Sequence, residues 1–330
     1  MARKKISTQF ITVTFTYGLF FLILSCGKPT VSPEVNKPPQ QEEKDPKENE
    51  ETSPPQPLHV VDLIQKNTTL VKSVISQNVE KLEQGITYTH LRYIDTQDRN
   101  MSIYVLVADM SYRNVNIQAL NPYDSDEKRF QPLKDMVKDN EKTGTKILAA
   151  VNGDYFSWTN METTGPFTYD GKVRKANSSG SIRPAFGITK TGLPVFLNAP
   201  TGHSNVYTYG DNLLRHLVGG NQWFIYNSTI TPISDSTVEP RTSIGMREDK
   251  KIIAIAVDGR NANHSNGMSY VQLQSIYRAL GAKFAFNLDG GGSTTVVVRK
   301  MNEKSWDIVN IPSDNPPRAI ANGLGFVWSD

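Results

Sequence analysis

The stretch KIIAIAVDGRNANHSNGMSYVQLQSIYRALGAKFAFNLDGGGSTTVVV, residues 251–298, combines two apolar runs with one amphipathic segment. Lys251–Val257 and Lys283–Leu288 are short apolar runs of the kind found in buried strands. Between them, Ser269 and Gln272 have the spacing of a capping box, which predicts the start of a helix that ends at a glycine. The stretch therefore predicts a strand, a helix and a second strand.

Each of these strands is followed by an Asp-Gly pair, at Asp258 and at Asp289. If the strands are parallel neighbours, both aspartates lie at the same edge of the sheet, where open α/β sheets usually bind ligands. The chain contains neither a G-x-G-x-x-G nor a Walker sequence. We expect a single domain of mixed α/β (α+β) class, with a curved mixed β-sheet flanked by helices.

The chain before this unit is predicted to be rich in strands, because apolar and polar residues alternate and turn residues separate the runs. The predicted strands are Thr87–Tyr93, Met101–Ala108, Asn114–Leu120, Lys146–Val151 and Trp223–Ile230, with hairpins at 167–174 and 186–196 and a further strand at Thr294–Val298. Pro132 is predicted to open a helix that stops near Gly144. Residues 58–84 are predicted to be an N-terminal helical segment, although 60–64 could equally form a short strand.

The composition excludes several classes of protein. The 330 residues include 36 Lys plus Arg and 33 Asp plus Glu, and a net charge of +3 is too small to indicate a nucleic-acid partner. The single cysteine, Cys26, cannot form an intramolecular disulfide or a cysteine-rich zinc site. The charge is divided unevenly, since 1–25 carry +3, 26–57 carry −3 and 58–330 carry +3.

The first residues are predicted to be an export signal. A basic start is followed by the apolar run Phe10–Leu24, which is shorter and richer in threonine than a typical transmembrane helix. The run ends directly before Cys26, as in a bacterial lipoprotein signal, so we expect 1–25 to be removed and Cys26 to be lipidated and to hold the protein on a membrane. An ordinary secretory signal with an incidental cysteine is the alternative. Residues 26–57 are rich in Pro, Glu and Lys and are predicted to be a disordered tether.

Several predicted turns contain residues that could bind a ligand or act in catalysis, or that could have only a structural role. Asp289 precedes three glycines, whose N–H groups can approach an anion, but an aspartate in a tight turn often caps its own backbone. Arg260 and Arg241 could bind a phosphate or carboxylate, or could be solvated loop residues. The five histidines lack metal-ligand spacing, and the chain has no G-x-S-x-G elbow of a serine hydrolase.

Taken in order, these segments resemble the phosphodiester glycosidase family. The matching segments are Ala150–Phe156, Pro240–Gly245, Val257–Arg260, Gly267–Ser269, Asn287–Thr294, and Arg318 with Ala321 and Asn322. The resemblance implies that 85–330 form a phosphodiester glycosidase-like domain, and that the chain is an exported hydrolase acting at the anomeric carbon of sugar-1-phosphodiesters in glycans. The family often has Asn-Gly-Gly where this chain has Asn152, Gly153 and Asp154, so Asp154 either alters substrate choice or caps a turn.

The resemblance also implies roles for individual residues. The catalytic candidates are Asp258 and Asp289, and which of them is the base stays open. The phosphate candidates are Arg241, Arg260 and Arg318. Further substrate-binding candidates are Asn152, Gly153, Thr242, Asn287, Gly290, Gly291, Gly292, Ser293 and Thr294. The sequence requires no cofactor and leaves a divalent metal open, and it indicates no protein partner.

Two other functions remain as alternatives. A non-catalytic module could bind polysaccharide or cell wall on the same fold, but the charged motif residues are all present, which favours an enzyme. A metal-dependent phosphodiesterase would cut the P–O bond instead of the anomeric C–O bond. Identification of the products separates these three functions.

Overall fold

The computed structural model describes residues 59–177, 183–199, 208–209 and 212–330, which all lie in one compact unit. The expected leader 1–25, the lipidation site Cys26 and the tether 26–57 lie outside the described residues. Within the described part of the chain, every helix is too short or too polar to cross a membrane.

The described residues form three α-helices and 21 strands. The helices are α1 (Val60–Asn67), α2 (Leu133–Asn140) and α3 (Tyr270–Ala279). The strands are β1 (Val71–Glu83), β2 (Ile86–Asp95), β3 (Asn100–Asp109), β4 (Val115–Leu120), β5 (Gln131–Pro132), β6 (Thr145–Asn152), β7 (Phe167–Tyr169), β8 (Lys172–Lys175), β9 (Arg183–Thr189), β10 (Pro194–Ala199), β11 (Thr208–Tyr209), β12 (Asn212–Gly219), β13 (Trp223–Tyr226), β14 (Thr229–Ile230), β15 (Arg241–Arg247), β16 (Lys251–Val257), β17 (Ala282–Asn287), β18 (Val296–Arg299), β19 (Trp306–Ile308), β20 (Ala319–Ile320) and β21 (Gly323–Ser329).

These strands form several sheets. The largest has eight strands in the order β1-β2-β3-β16-β15-β17-β13-β14. A six-stranded sheet contains β10-β9-β12-β7-β8, with β11 paired to β12, and a five-stranded sheet runs β19-β18-β6-β21-β4. A two-stranded sheet joins β20 and β5. The predicted class, a single mixed α/β domain, is confirmed, but the one curved sheet that we expected is divided into several.

The strands of 251–298 are not the parallel neighbours that we considered for this stretch. β15 lies between β16 and β17 and is antiparallel to both, and every pairing among the described strands is antiparallel. The loop and helix of 258–281 are long enough to pass over β15. Because β16 and β17 still point the same way, Asp258 and Asp289 both follow strand ends at one edge of the sheet.

Two apolar layers explain why β16 is apolar along its whole length. Ile252, Ala254 and Ala256 pack into the core between the sheets. Ile253 and Ile255, on the opposite face, pack into the core beneath α1 and α3. A strand buried on both faces has no polar face, so its sequence is a continuous apolar run. The helix α3 begins at the predicted capping box, in which the Ser269 hydroxyl accepts a hydrogen bond from the Gln272 N–H.

The N-terminal helical segment predicted over 58–84 is helical only over Val60–Asn67. Val71–Glu83 is instead an edge strand, paired with β2 through a turn at Gly85, whose φ is +81°. Most of β1 is exposed, so its spaced apolar residues mark no helix face. The single strand predicted at Trp223–Ile230 is likewise a hairpin of β13 and β14.

Candidate active site

An open cleft of about 270 Å³ lies at the edge of the large sheet where β16 and β17 end and β15 begins. Its lining residues are Tyr155, Glu239, Arg241, Arg260, Asp289, Gly290, Gly291, Gly292 and Arg318. Two depressions, of about 530 and 600 Å³, are larger. They are lined mainly by charged and polar surface residues, whereas this cleft combines arginines with a buried carboxyl group.

Asp289 is the carboxyl group of the cleft with the most unusual environment. Its side chain is almost buried, and Oδ1 accepts a hydrogen bond of 2.8 Å from the Gly290 N–H. Burial raises the pKa of Asp289 to about 6, and the Ser293 hydroxyl, the Gly290 N–H and the Arg318 charge oppose that rise. A carboxyl group with a pKa near neutrality can exchange a proton with a substrate or water during a reaction.

The glycines after Asp289 are required by close contacts. A Cβ at Gly290 would lie 2.5 Å from the backbone oxygen of Pro240, and a Cβ at Gly292 would lie 2.3 Å from Arg318 Nη2. Gly291 has a φ of +57°, which side chains rarely allow. The loop can therefore lie directly against Pro240 and against the guanidinium group of Arg318.

Two arginines of the cleft are held by carboxylates. Arg260 is half-exposed, and its Nε donates to Glu239 Oε2 at 2.7 Å. Arg318 donates from Nε to Asp314 Oδ2 at 2.8 Å and from Nη1 to Ser293 Oγ at 3.4 Å. Each carboxylate binds one side of a planar guanidinium group and fixes its orientation, an arrangement suited to binding an anion.

Arg241 lines the cleft too but is buried. Its Nε donates to the Met268 oxygen at 3.2 Å, and Nη2 donates to the oxygen and the hydroxyl of Thr237 at 2.9 and 3.0 Å. The guanidinium carbon also lies 4.1 Å from the centre of the Tyr270 ring. Arg241 therefore joins β15 to the start of α3 and adds positive charge to the cleft.

Beneath the cleft, Asn287 joins two tyrosines. Its Nδ2 donates to Tyr155 Oη at 2.9 Å and to Tyr270 Oη at 3.2 Å, and the two phenol oxygens are 3.2 Å apart. Within the described part of the chain, Asn287 Oδ1 and Thr294 Oγ1 are buried without a hydrogen-bond partner. Burial raises the pKa of Tyr155 further above its ordinary value, so the phenol keeps its proton at neutral pH.

Asn152 fastens the glycine loop to the neighbouring strands. Its Nδ2 donates to the Asp289 oxygen at 2.9 Å, and its Oδ1 accepts from Thr242 Oγ1 at 2.7 Å and from the Thr295 N–H at 3.2 Å. The Gly153 oxygen accepts from the Asp289 N–H at 2.9 Å. Asn152, Gly153 and Thr242 thus position the loop rather than line the cleft.

Asp154, the residue that departs from the family pattern, is buried behind Tyr155. It accepts hydrogen bonds from the Tyr155 N–H at 2.8 Å, from the Gly165 N–H at 2.6 Å and from Arg183 Nη2 at 3.1 Å. Burial raises the pKa of Asp154 to about 7, while Arg183 and the two N–H groups lower it. Of the two roles that we considered, these contacts correspond to the capping of a turn.

Asp258 has a different environment from Asp289. Four groups donate to its buried carboxylate: Tyr104 Oη at 2.9 Å, His264 Nε2 at 2.8 Å, Asn310 Nδ2 at 2.9 Å and the Ile311 N–H at 3.0 Å. It is not among the residues that line the cleft. In this structure the carboxylate therefore joins β3, the loop after β16 and the segment before β20.

The comparison with known proteins identifies the family of the chain. The family model described as phosphodiester glycosidase matches residues 145–327, which is more than half of the chain. The chain belongs to the phosphodiester glycosidase family. The matched segment includes every cleft residue and the residues beneath the cleft. Among the described residues, no group of three or more His, Cys, Asp or Glu side chains is arranged to hold a metal ion.

Two curated proteins match parts of the chain at lower coverage. The chain is 26% identical over 187 residues to N-acetylglucosamine-1-phosphodiester alpha-N-acetylglucosaminidase of Mus musculus, covering 50% of this chain and 33% of that protein. It is 34% identical over 91 residues to the SPbeta prophage-derived uncharacterized protein YomE of Bacillus subtilis strain 168, covering 28% of this chain and 13% of that protein. The matches therefore span a third or less of these curated relatives.

Two solved structures share the fold of this chain. The catalytic domain of zebrafish N-acetylglucosamine-1-phosphodiester alpha-N-acetylglucosaminidase, auto-inhibited by its pro-peptide, superposes with a TM-score of 0.55 at 22% identity. The superposition covers 77% of this chain and 88% of that chain. A hypothetical protein from Synechocystis has the same TM-score of 0.55 at 13% identity, covering 77% of this chain and 64% of that one.

Two residues of the cleft were missed by the sequence analysis. Tyr155 is in the segment that carries the family resemblance, and Glu239 directly precedes another such segment, but neither was chosen as a site residue. The aromatic residue after Asn152-Gly153-Asp154 was a usable signal for Tyr155. The role of Glu239 depends on its ion pair with Arg260, 21 residues away in the sequence, which no local pattern shows.

Proposed function

We propose that this chain is a hydrolase that cleaves the anomeric C–O bond of sugar-1-phosphodiesters in glycans. The observation that carries the proposal is Asp289, a nearly buried carboxyl group with a pKa of about 6, placed among arginines and glycine N–H groups in one cleft. An enzyme for this reaction needs positive charge for the phosphate and one group that accepts a proton from water. Membership of the phosphodiester glycosidase family supports the same reaction.

In the proposed reaction, the phosphodiester lies against Arg260 and Arg318. Water adds to the anomeric carbon, and Asp289 accepts a proton from that water. The bond between the anomeric carbon and the phosphate oxygen breaks, and its electron pair stays on that oxygen, which remains bonded to phosphorus. The products are a free sugar and a phosphomonoester. Because the leaving group departs as a stabilised anion, it needs no proton from a general acid, and the arginines compensate its charge.

Of the two carboxyl groups that line the cleft, Asp289 is the better base. Glu239 accepts a 2.7 Å hydrogen bond from Arg260, so one of its carboxylate oxygens is already occupied in holding that arginine. Burial instead raises the pKa of Asp289 to about 6, which makes its carboxylate a stronger proton acceptor. We therefore assign the base to Asp289 and the orientation of Arg260 to Glu239.

The position of bond cleavage tests this function. We expect the purified protein, given a sugar-1-phosphate methyl diester in ¹⁸O-labelled water, to place the label in the free sugar and none in the methyl phosphate. Label in the phosphate would instead establish P–O cleavage by a phosphodiesterase. If the folded protein binds the diester but forms no product, with or without added divalent metal, both enzyme functions are rejected and a non-catalytic binding module is supported.

We also propose that the protein is exported and membrane-anchored through Cys26, which the lipoprotein-like leader supports. We expect the full-length protein to sediment with membranes and a Cys26→Ser variant to appear in the soluble fraction. Equal distribution of the two proteins would contradict lipidation at this residue.

A further inference from the structure

The phenol of Tyr155 and the carboxyl group of Asp289 line the same cleft, and two contacts fix them to each other. The Asp289 N–H donates at 2.9 Å to the oxygen of Gly153, two residues before Tyr155. In return, Asn287, two residues before Asp289, donates from Nδ2 to Tyr155 Oη at 2.9 Å. The segment after β6 and the segment after β17 are therefore joined at this point of the cleft.

The amide group of Asn287 acts on the phenols as a donor. Its Nδ2 also donates to the Leu288 oxygen, which fixes the nitrogen of the amide on this side. The same nitrogen lies 3.2 Å from Tyr270 Oη, so one of its hydrogens is shared between the two phenols. An amide nitrogen has two hydrogens and no acceptor capacity. Tyr155 and Tyr270 therefore both accept from Asn287.

The hydrogen bond between the two phenols has one favourable direction. Their oxygens are 3.2 Å apart, and either of them could be the donor. Among the described residues, neither phenol has another acceptor within hydrogen-bond distance. Tyr270 is only 6% exposed, so its proton would be buried without an acceptor unless it is donated to Tyr155. Tyr155 is only partly buried, and its own proton can face the open cleft.

This direction makes the Tyr155 hydroxyl a hydrogen-bond donor to the cleft. Its oxygen accepts from Asn287 and from Tyr270, so both of its lone pairs are occupied and only the O–H is left for a ligand. Burial, the neighbouring Tyr270 and the Asp289 charge raise the pKa of the Tyr155 phenol, which keeps its proton while Asp289 ionises. The cleft therefore has a fixed donor within electrostatic range of an ionisable acceptor.

We propose that Tyr155 is a catalytic residue that, together with Asp289, holds the water that attacks the anomeric carbon. This inference rests on the proposed function and deepens it. The water oxygen accepts the hydrogen bond from Tyr155, and one water hydrogen is donated to the Asp289 carboxylate. The other lone pair of the water is then free to bond to the anomeric carbon. As that bond forms, the shared hydrogen moves to Asp289, and Tyr155 keeps its own proton.

The surroundings of Tyr155 favour water over a phosphate oxygen as its partner. A phosphate oxygen can only accept, and next to ionised Asp289 it would be repelled by the negative charge. Arg260 and Arg318 supply charged donors for the phosphate elsewhere in the cleft. Water can accept from Tyr155 and donate to Asp289 at the same time. A sugar hydroxyl is the competing partner, and it predicts a different kinetic result.

Tyr155→Phe removes the donor and keeps the aromatic ring. We expect kcat for a sugar-1-phosphate methyl diester to fall about tenfold, as the loss of one hydrogen bond to the reacting water would do, with KM changed less than about twofold. Tyr226→Phe is the matched control and should be native, because Tyr226 is exposed on β13 and is not among the residues that line the cleft. A raised KM with native kcat would assign the hydroxyl to a sugar hydroxyl and overturn the proposal.

A double variant tests whether Tyr155 and Asp289 act on the same water. In Asp289→Asn, the amide oxygen can accept the Gly290 N–H, and an amide N–H then replaces the other carboxylate oxygen. The water would have a donor on each side and would lose its reactive orientation. Adding Tyr155→Phe should therefore lower the residual kcat by less than about twofold. A further loss as large as that in the native background would show that the two groups act independently, against the proposal.

A crystal structure supplies a measurement that needs no turnover. In crystals at a pH above 6, where Asp289 is ionised, a water should lie about 2.8 Å from both Tyr155 Oη and an Asp289 carboxylate oxygen. The water should be missing from this position in Tyr155→Phe. Native crystals without this water would overturn the proposal even if the protein hydrolyses the diester. A bridging water in a protein that hydrolyses no diester would instead reject the proposed function, and with it the catalytic role of Tyr155.

Discussion

Asp289→Asn is expected to lower kcat by about 10³-fold, within the range that a general base usually contributes. The substitution keeps the size of the side chain and lets its amide oxygen accept the Gly290 N–H, which binds Oδ1 at 2.8 Å in the native protein. It removes the group that can take a proton from water. Steady-state rates of sugar release measure the effect.

The same residue should determine the acidic limb of the pH profile. Burial raises the pKa of Asp289 from 3.8 to about 6, and the base must be ionised to act. Below a pH of about 6, kcat/KM should therefore fall about tenfold for each pH unit, since the ionised fraction falls in that proportion. With an aspartate of ordinary pKa, the fall would begin near pH 3.8. The residual activity of Asp289→Asn should not show this limb.

Asp307→Asn provides the control, because Asp307 is an exposed aspartate on β19 whose ion pair with Lys300 spans 3.5 Å. Its activity and pH profile should match those of the native protein. If Asp289→Asn is folded and retains native kcat, Asp289 is not the base, and Glu239 becomes the remaining carboxyl group of the cleft to test.

Local sequence predicted the elements of 251–298 but not their order in the sheet. Apolar runs and the capping box depend on neighbouring residues, so β16, β17 and α3 could be recognised directly. The insertion of β15 between the two strands depends on which surfaces pack together over the whole domain. A strand–helix–strand pattern is common in parallel sheets, and nothing within the stretch distinguishes it from an antiparallel sheet with an intervening strand.

Local sequence also could not predict the surroundings of the candidate site residues. Asp258 and Asp289 have the same local signal, a buried strand followed by aspartate and glycine. Their difference arises from distant residues: Tyr104 and Asn310 fill the surroundings of Asp258, whereas Asp289 borders an open cleft. The arginines were recognisable because they lie in the family's motifs. Their carboxylate partners Glu239 and Asp314 could only be assigned from the structure.

Asp258→Ala is expected to lower the free energy of unfolding by about 3–5 kcal/mol, as the removal of one partner from a buried charged network usually does. Four hydrogen bonds end on this carboxylate, and the substitution leaves Tyr104 Oη, His264 Nε2, Asn310 Nδ2 and the Ile311 N–H without their acceptor. Each buried donor left unpaired adds a desolvation penalty. Urea unfolding followed by circular dichroism measures the change.

A milder variant covers the case in which Asp258→Ala does not fold. Tyr104→Phe removes one of the four donors and keeps the carboxylate paired with the other three, so we expect a loss of about 1 kcal/mol and nearly native kcat. If Asp258→Ala has native stability but no activity, the residue acts in catalysis instead. Native kcat in a destabilised Asp258→Ala protein would assign it to the framework.

Asp289→Asn should have the opposite effect on stability, which separates the two aspartates in a single experiment. Because the pKa of Asp289 in the folded protein is raised to about 6, its contribution to stability is present below the unfolded value and is lost as the pH rises through 6. At pH 7 the ionised side chain therefore destabilises the fold, and replacing it with a neutral amide should leave the free energy of unfolding unchanged or higher. Loss of the charge at Asp289 should therefore leave the fold as stable or more stable, whereas loss of the charge at Asp258 should destabilise it. This contrast is expected if Asp289 serves the reaction and Asp258 serves the framework.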